Sequence, residues 1–203
     1  MRTSAKNRGL IRVARQLFTD EVHETLVDFV DERAQFLPLR HDGEIFSRLM
    51  AHNVGIFRHL HNQLTDFASE HFGEKLKPSY SFLSMYDDNG IFPLHIDRDQ
   101  CRYTVDYLIR QDHPEPWPIY VSEPISDEER TAATESGSAH PEDEYQIARI
   151  KRAHTFAKVE LRPNDAVLYS GTHQWHYRDR IQSTAADLAF FHFVAEGFNG
   201  PLD

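Results

Sequence analysis

From Tyr80 onward the hydrophobic pattern alternates instead of following a helical period, and that switch limits the possible folds more than any other feature of the chain. Strand-like segments follow one another at residues 80–86, 92–96, 101–109, 118–121, 153–161, 166–169 and 188–194. Turn-forming sequences separate them: Asp87-Asp88-Asn89-Gly90, the proline-rich stretch 114–118, Arg162-Pro163-Asn164-Asp165 and Ser170-Gly171. Many short strands without intervening helices close into a sandwich or barrel, most simply a jelly roll.

The segment before Tyr80 reads differently. Thr19 and Asp20 offer N-cap chemistry to a run with Val22, Leu26, Phe29 and Val30 on one face. A second, longer helix is predicted where Phe57, Leu60, Leu64, Phe67, Ala68 and Phe72 recur at helical spacing, ended by Gly73 and Pro78. Residues 1–203 are therefore expected to form one domain: a helical support region at 1–78 braces a jelly-roll core at 80–194. The class is mainly β, or α+β, a double-stranded β-helix of cupin-like form. A length of 203 residues suits a single core of this kind.

The formal net charge of −10 is concentrated rather than spread. Between 123 and 144 stand Glu123, Asp127, Glu128, Glu129, Glu135, Glu142, Asp143 and Glu144 against one base, Arg130. With Ser, Gly, Thr and Pro interspersed, residues 123–148 read as an acidic, mobile loop, with a gating lid as the sharper alternative. No basic stripe with interleaved aromatics is present, which argues against nucleic acid as a partner. No apolar run approaches the roughly 20 residues of a membrane span, and the polar, basic start of the chain lacks secretory features. The expectation is a cytoplasmic protein that spans no membrane. Cys101, the single cysteine, agrees with a reducing compartment and reads as a core thiol.

The segment that carries chemistry is Phe92-Pro93-Leu94-His95-Ile96-Asp97. On a strand, residues i and i+2 share a face, so His95 and Asp97 can bind one ion while Ile96 faces away. Among 13 histidines such a spacing arises easily by chance, so the pair needs a third ligand to become informative. The later stretch from Asp165 to His176 supplies one, either His173 or His176. Two imidazoles and a carboxylate form the facial triad that leaves positions open on Fe(II).

These residues, with Tyr80-Ser-Phe-Leu-Ser-Met-Tyr86, the strand from Cys101 to Leu108, Asp165-Ala-Val-Leu-Tyr-Ser-Gly171 and His176-Tyr-Arg178, resemble the 2-oxoglutarate and Fe(II)-dependent dioxygenases, particularly the prolyl-4-hydroxylase-like branch. The resemblance covers roughly residues 80–194 and favours His176 as the distal ligand. It implies Fe(II), 2-oxoglutarate and O₂, with ascorbate as a possible stimulant. The implied reaction hydroxylates an unactivated C–H of a small molecule or peptide side chain and gives succinate and CO₂. Retention of Asp97 argues against halogenation, which the family achieves by replacing that carboxylate.

One element of the family pattern is missing. Its members bind the far carboxylate of 2-oxoglutarate with a base nine to eleven residues past the distal histidine, where this chain has Ala185, Ala186 and Asp187. A buried carboxylate without a cation is costly, so another residue must serve. Arg178 is the first candidate and Arg102 the second, ahead of Arg110 and Arg180, while Tyr86 matches a tyrosine that hydrogen-bonds the cosubstrate in relatives. His192, alternating with Phe191 and Phe193, is a candidate cavity residue. The missing base is the support for one alternative, a cupin-like metal enzyme that does not use 2-oxoglutarate; a second, a jelly-roll binding or sensing module without turnover, is disfavoured by retention of all three ligands. Oligomeric state is not legible.

Overall fold

The computed structural model describes residues 11–42, 46–137, 139–182 and 184–202, so most of the basic leader lies outside the described residues. Its architecture follows from one strand, Ala186–Ala195 (β11), whose side chains are buried on both faces. Ala189, Phe191 and Phe193 point one way into a helix-backed core, and Leu188 and Phe190 point the other way into the barrel. A strand buried on both faces reads as a continuous apolar run.

β11 lies at the centre of a seven-stranded antiparallel sheet ordered β1-β9-β6-β11-β4-β3-β2. Its members are Arg12–Ala14 (β1), Arg40–His41 (β2), Arg48–His52 (β3), Leu76–Tyr86 (β4), Tyr103–Gln111 (β6) and Ala166–Tyr169 (β9). A second sheet, ordered β5-β10-β7-β8, comprises Phe92–His95 (β5), Ile119–Ser122 (β7), Phe156–Val159 (β8) and His176–Arg178 (β10). The two sheets make the expected double-stranded β-helix.

The outer face of the large sheet is covered by Asp20–Arg33 (α1), Gly55–Gln63 (α2) and Thr65–Phe72 (α3). Thr19 caps α1 as the sequence predicts, its side chain accepting from the Val22 amide. Leu26, Val30, Phe57, Leu60, Ala68 and Phe72 then meet Leu83, Val105, Tyr107 and Phe191 of the sheet. Each valine, leucine or phenylalanine among them, fully buried, contributes roughly 1.5–3 kcal/mol. The long second helix predicted from 57 to 72 is divided at Leu64, and Gly73 closes it in the left-handed conformation at φ 64°.

Two sequence expectations are corrected. Region 1–78 is not purely helical: β1, β2 and β3 extend the large sheet, and β4 begins at Leu76. Their short length and flanking polar residues hide the alternation. The acidic segment is not a structureless loop, since it forms Asp127–Glu135 (α4) and Glu144–Ala153 (α5), capped by Ser126 and Asp143. Ala133 and Ile150 are buried against Leu94, Ile96, Ile125 and Trp175, a small cluster sufficient to dock both helices. Among the described residues no helix is long and apolar enough to cross a membrane.

His61 of α2 is buried, and its Nε2–H donates to the His192 carbonyl at 2.8 Å. Burial dominates and pulls its pKa from 6.5 down to about 3. The unfolded chain therefore binds a proton between about pH 3 and 6.5 that the folded chain refuses, so this stabilisation is complete above pH 6.5 and is lost as pH falls through that window. A His61→Leu variant, whose loss leaves the His192 carbonyl still bonded to Ser79, is expected to flatten this decline. Urea denaturation of both proteins from pH 7 to 4 measures it; parallel curves would assign the decline to other groups.

Candidate metal centre

The pairing of β5 with β10 sets His95 directly opposite His176. Asp97 follows two residues after His95 and is fixed by its own amide, which donates to the Gly171 carbonyl at 2.8 Å. The ligand atoms of His95, Asp97 and His176 all lie within 4.8 Å of one another. His95 Nε2 is 3.4 Å from Asp97 Oδ1, and His176 Nε2 is 3.7 Å from Asp97 Oδ2. Neighbouring ligands on an ion with bonds of roughly 2.1 Å stand about 3 Å apart, so the set is close to a coordinating arrangement.

Both imidazoles are aimed by the same device. His95 Nδ1 contacts the Pro93 carbonyl at 2.7 Å, and His176 Nδ1 contacts the Gln174 carbonyl at 2.9 Å. A carbonyl only accepts, so each Nδ1 carries the proton and each Nε2 keeps its lone pair. That is how metal-binding histidines are oriented. His176 Nε2 is fully buried with no partner, an arrangement that is costly unless something occupies the space before it. Burial, reinforced by His95, lowers the His176 pKa to about 3, so the ring is neutral at ordinary pH. Burial pushes the Asp97 carboxyl upward, but His176 and His95 beside it outweigh that and hold it well below the usual carboxylate range.

His173, the alternative third ligand, lies elsewhere. Its Nδ1 meets Thr172 Oγ1 at 2.8 Å and its Nε2 meets Asp127 at 2.9 Å, so it ties β10's approach to α4. His192 does face the cavity, held by Thr104 through Nδ1 at 3.0 Å.

A cavity of about 250 Å³ opens in front of the triad, walled by Tyr80, Phe82, Phe92 and Phe190. Of the predicted cosubstrate residues, Arg178 shares the interior but is committed: it pairs with Asp106 at 2.7 Å, and both are buried. Its other amino group donates to the Trp117 carbonyl at 2.6 Å. Arg102 does not line the cavity; its guanidinium lies over Tyr103, whose ring packs on the helix side of the sheet. Arg110 pairs with Asp31 and Asp187, and Arg180 donates to the Asn89 carbonyl.

Among the described residues the cations that line the cavity are Arg48 and Arg98, neither of them a candidate from the sequence. Arg48 comes from β3, in the stretch read as helical. It is aligned with Tyr86, donates to Tyr86 Oη at 2.9 Å, and lies over the Phe46 ring at 4.0 Å. The alternation of Arg48, Met50 and His52 was the only available signal. His140, from the connection between α4 and α5, stacks on His95 at 5.0 Å between ring centroids.

Gly171 is required by close approach. A Cβ built there would stand 2.1 Å from Asp97 Oδ2 and 2.4 Å from the Cys101 carbonyl. Gly171→Ala is therefore expected to displace Asp97 and abolish the stabilisation of the folded chain by Mn(II), measured as a thermal shift. An unchanged shift would show that Asp97 does not hold the ion from this position.

No family model and no curated protein matches the chain. Solved structures do. HygX from Streptomyces hygroscopicus, with nickel, 2-oxoglutarate and hygromycin B bound, superposes with a TM-score of 0.64 at 13% identity over 97% of this chain and 89% of that one. SnoK, a non-haem α-ketoglutarate-dependent carbocyclase from nogalamycin biosynthesis, gives 0.71 at 10% identity over 96% and 85%. A Pseudomonas putida prolyl-4-hydroxylase gives 0.62 at 10% identity over 92% and 93%. At these identities the likeness concerns the fold: the chain has the double-stranded β-helix architecture shared by these enzymes.

Proposed function

We propose that this chain is an Fe(II)- and 2-oxoglutarate-dependent oxygenase that hydroxylates a small molecule. The observation that carries the reading is the convergence of His95, Asp97 and His176, with both Nδ1 atoms tied to backbone carbonyls and the His176 Nε2 buried and orphaned. Iron held there would keep positions open for 2-oxoglutarate and O₂, supplying oxidation of a substrate C–H with conversion of 2-oxoglutarate to succinate and CO₂. Hygromycin B and 2-oxoglutarate bound to HygX favour a small-molecule substrate over a peptide.

The chain's own residues do the rest. Asp97 stays anionic and would neutralise part of the metal's charge, His176 stays neutral, and both imidazoles are fixed in orientation by their Nδ1 contacts. The aromatic walls keep the site poor in water, which strengthens every charge interaction inside. Arg48 receives the far carboxylate of 2-oxoglutarate, positioned by the Tyr86 hydroxyl.

Arg48 suits this role better than Arg178 because their present partners differ. Arg48 contacts Asp42 at 3.2 Å, and Asp42 is partly exposed, so water can replace that contact when the cosubstrate arrives. Arg178 and Asp106 are both dry, and separating them would strand a buried charge. An arginine from β3 thus answers the absence of a base on β11, which was the support for a 2-oxoglutarate-independent enzyme.

Anaerobically purified protein supplied with Fe(II), ascorbate, 2-oxoglutarate and O₂ is expected to release succinate, and His95→Ala and Asp97→Ala to release none. Wild-type turnover no higher than that of the variants would sink the proposal. Arg48→Met is expected to raise the KM for 2-oxoglutarate at least about tenfold, roughly 1.4 kcal/mol. Arg178→Met is expected instead to lower folding stability by about 3–5 kcal/mol, as measured by urea denaturation. The reverse pattern would return the carboxylate site to Arg178.

A further inference from the structure

We propose that the substrate bears a single carboxylate, which Arg98 receives at the mouth of the cavity while an apolar portion lies against Tyr80 and Phe82. This deepens the oxygenase reading and rests on it.

The cavity has more cationic capacity than the cosubstrate can use. Arg48 and Arg98 both line it, yet they stand at different points along β4: Arg48 near Ser84 and Tyr86, and Arg98 over the Tyr80 ring at 5.0 Å. One carboxylate of 2-oxoglutarate belongs to the metal and the other needs one guanidinium. Arg98 is exposed, and Tyr80 and Cys101 are its polar neighbours. Of the two acids that flank it in the chain, Asp97 belongs to the candidate metal set and Asp99 is taken by Arg130.

The rest of the lining has the same sense. Asp97 is the only carboxylate there among the described residues, and it is a metal ligand, whereas His52, His140 and His192 add polar nitrogen. A cation-lined cavity in a chain of net charge −10 is a local reversal of sign, which selects anions. Charge balance fixes how many. A divalent ion, Asp97 and a dianionic cosubstrate sum to one negative charge, which Arg48 offsets, so Arg98 leaves room for one further anion. A planar guanidinium matches a carboxylate in two-point geometry.

Size and wall chemistry describe the remainder. About 250 Å³ is below the roughly 300–1,000 Å³ of pockets that enclose drug-sized ligands, and the cosubstrate takes part of it. The reacting end of the substrate is therefore small. Tyr80 and Phe82, with ring centroids 6.1 Å apart and nearly parallel, offer it an apolar wall beside Arg98.

The test uses full-length protein loaded with Mn(II) and N-oxalylglycine, titrated with phenylacetate and 3-phenylpropionate, their amides, and phenylphosphonate, with binding read by calorimetry. At least one acid is expected to bind at least tenfold more tightly than its amide and more tightly than the phosphonate. Arg98→Gln should erase the preference for acid over amide, and Arg98→Lys, which keeps the charge, should retain part of it. Acids that bind no better than amides, a preference that survives Arg98→Gln, or a phosphonate that outbinds both acids would each overturn the proposal. Failure of Mn(II) and N-oxalylglycine to stabilise the wild-type chain before any probe is added would instead overturn the oxygenase reading beneath it.

Discussion

Burial of β11 on both faces is the constraint on which the other elements depend. A strand carrying Phe191 and Phe193 on one side and Leu188 and Phe190 on the other cannot tolerate solvent on either. The helices α1 to α3 answer the first side, and the second sheet answers the other. Because the second sheet must close over the barrel face, β5 and β10 come to lie across from Phe190 and His192. The candidate ligands His95 and His176 are thus placed by the same requirement that forms the core.

Within that frame the triad needs little special machinery. Antiparallel pairing sets His95 against His176, the Asp97 amide just past the end of β5 is held by the Gly171 carbonyl, and Gly171 lets the Asp97 carboxylate approach the chain closely. Orientation comes from two hydrogen bonds to the backbone rather than from side-chain partners that could be lost independently. The α4–α5 insertion is packed onto the outer side of these strands: Ile96 accepts no freedom of its own, since its amide donates to the Ala139 carbonyl at 3.0 Å and its side chain lies in the cluster with Ala133 and Ile150. Two carboxylates of this acidic segment meet imidazoles, Asp127 with His173 and Glu129 with His154, while His140 is the residue that stacks on His95.

The jelly-roll order was legible because strand alternation and turn chemistry are local rules; His95 and Asp97 stood out by their i, i+2 spacing, whereas the choice of His176 came from the family resemblance, since its three-residue strand β10 is too short to show an alternation. The cationic residues of the cavity were not legible. Arg48 stands on a five-residue strand whose pairing with β4 joins segments more than thirty residues apart, and a single sequence contains no local sign of that contact. Arg178 was the first candidate for the cosubstrate carboxylate, but its partner Asp106 comes from another strand, and only the folded chain shows that the charge is already spent. The acidic helices were misread for a related reason, since a few apolar residues such as Ile147 and Ile150 suffice when a complementary surface of Leu94 and Trp175 exists elsewhere.

The site also bears on stability. His176 Nε2 is buried without a partner, and His176 and His192 are both held neutral by burial, His192 at a pKa of about 4. Each of these groups gives up hydration on folding without full compensation from the protein. A divalent ion coordinated by His95, Asp97 and His176 would supply the missing interaction for the orphaned nitrogen and a counter-charge for Asp97, and it would do so only in the folded chain. Metal affinity and folding free energy are therefore linked at this site. The aromatic residues around the cavity strengthen that linkage, because a drier environment makes the empty ligand set more costly and the filled one more favourable.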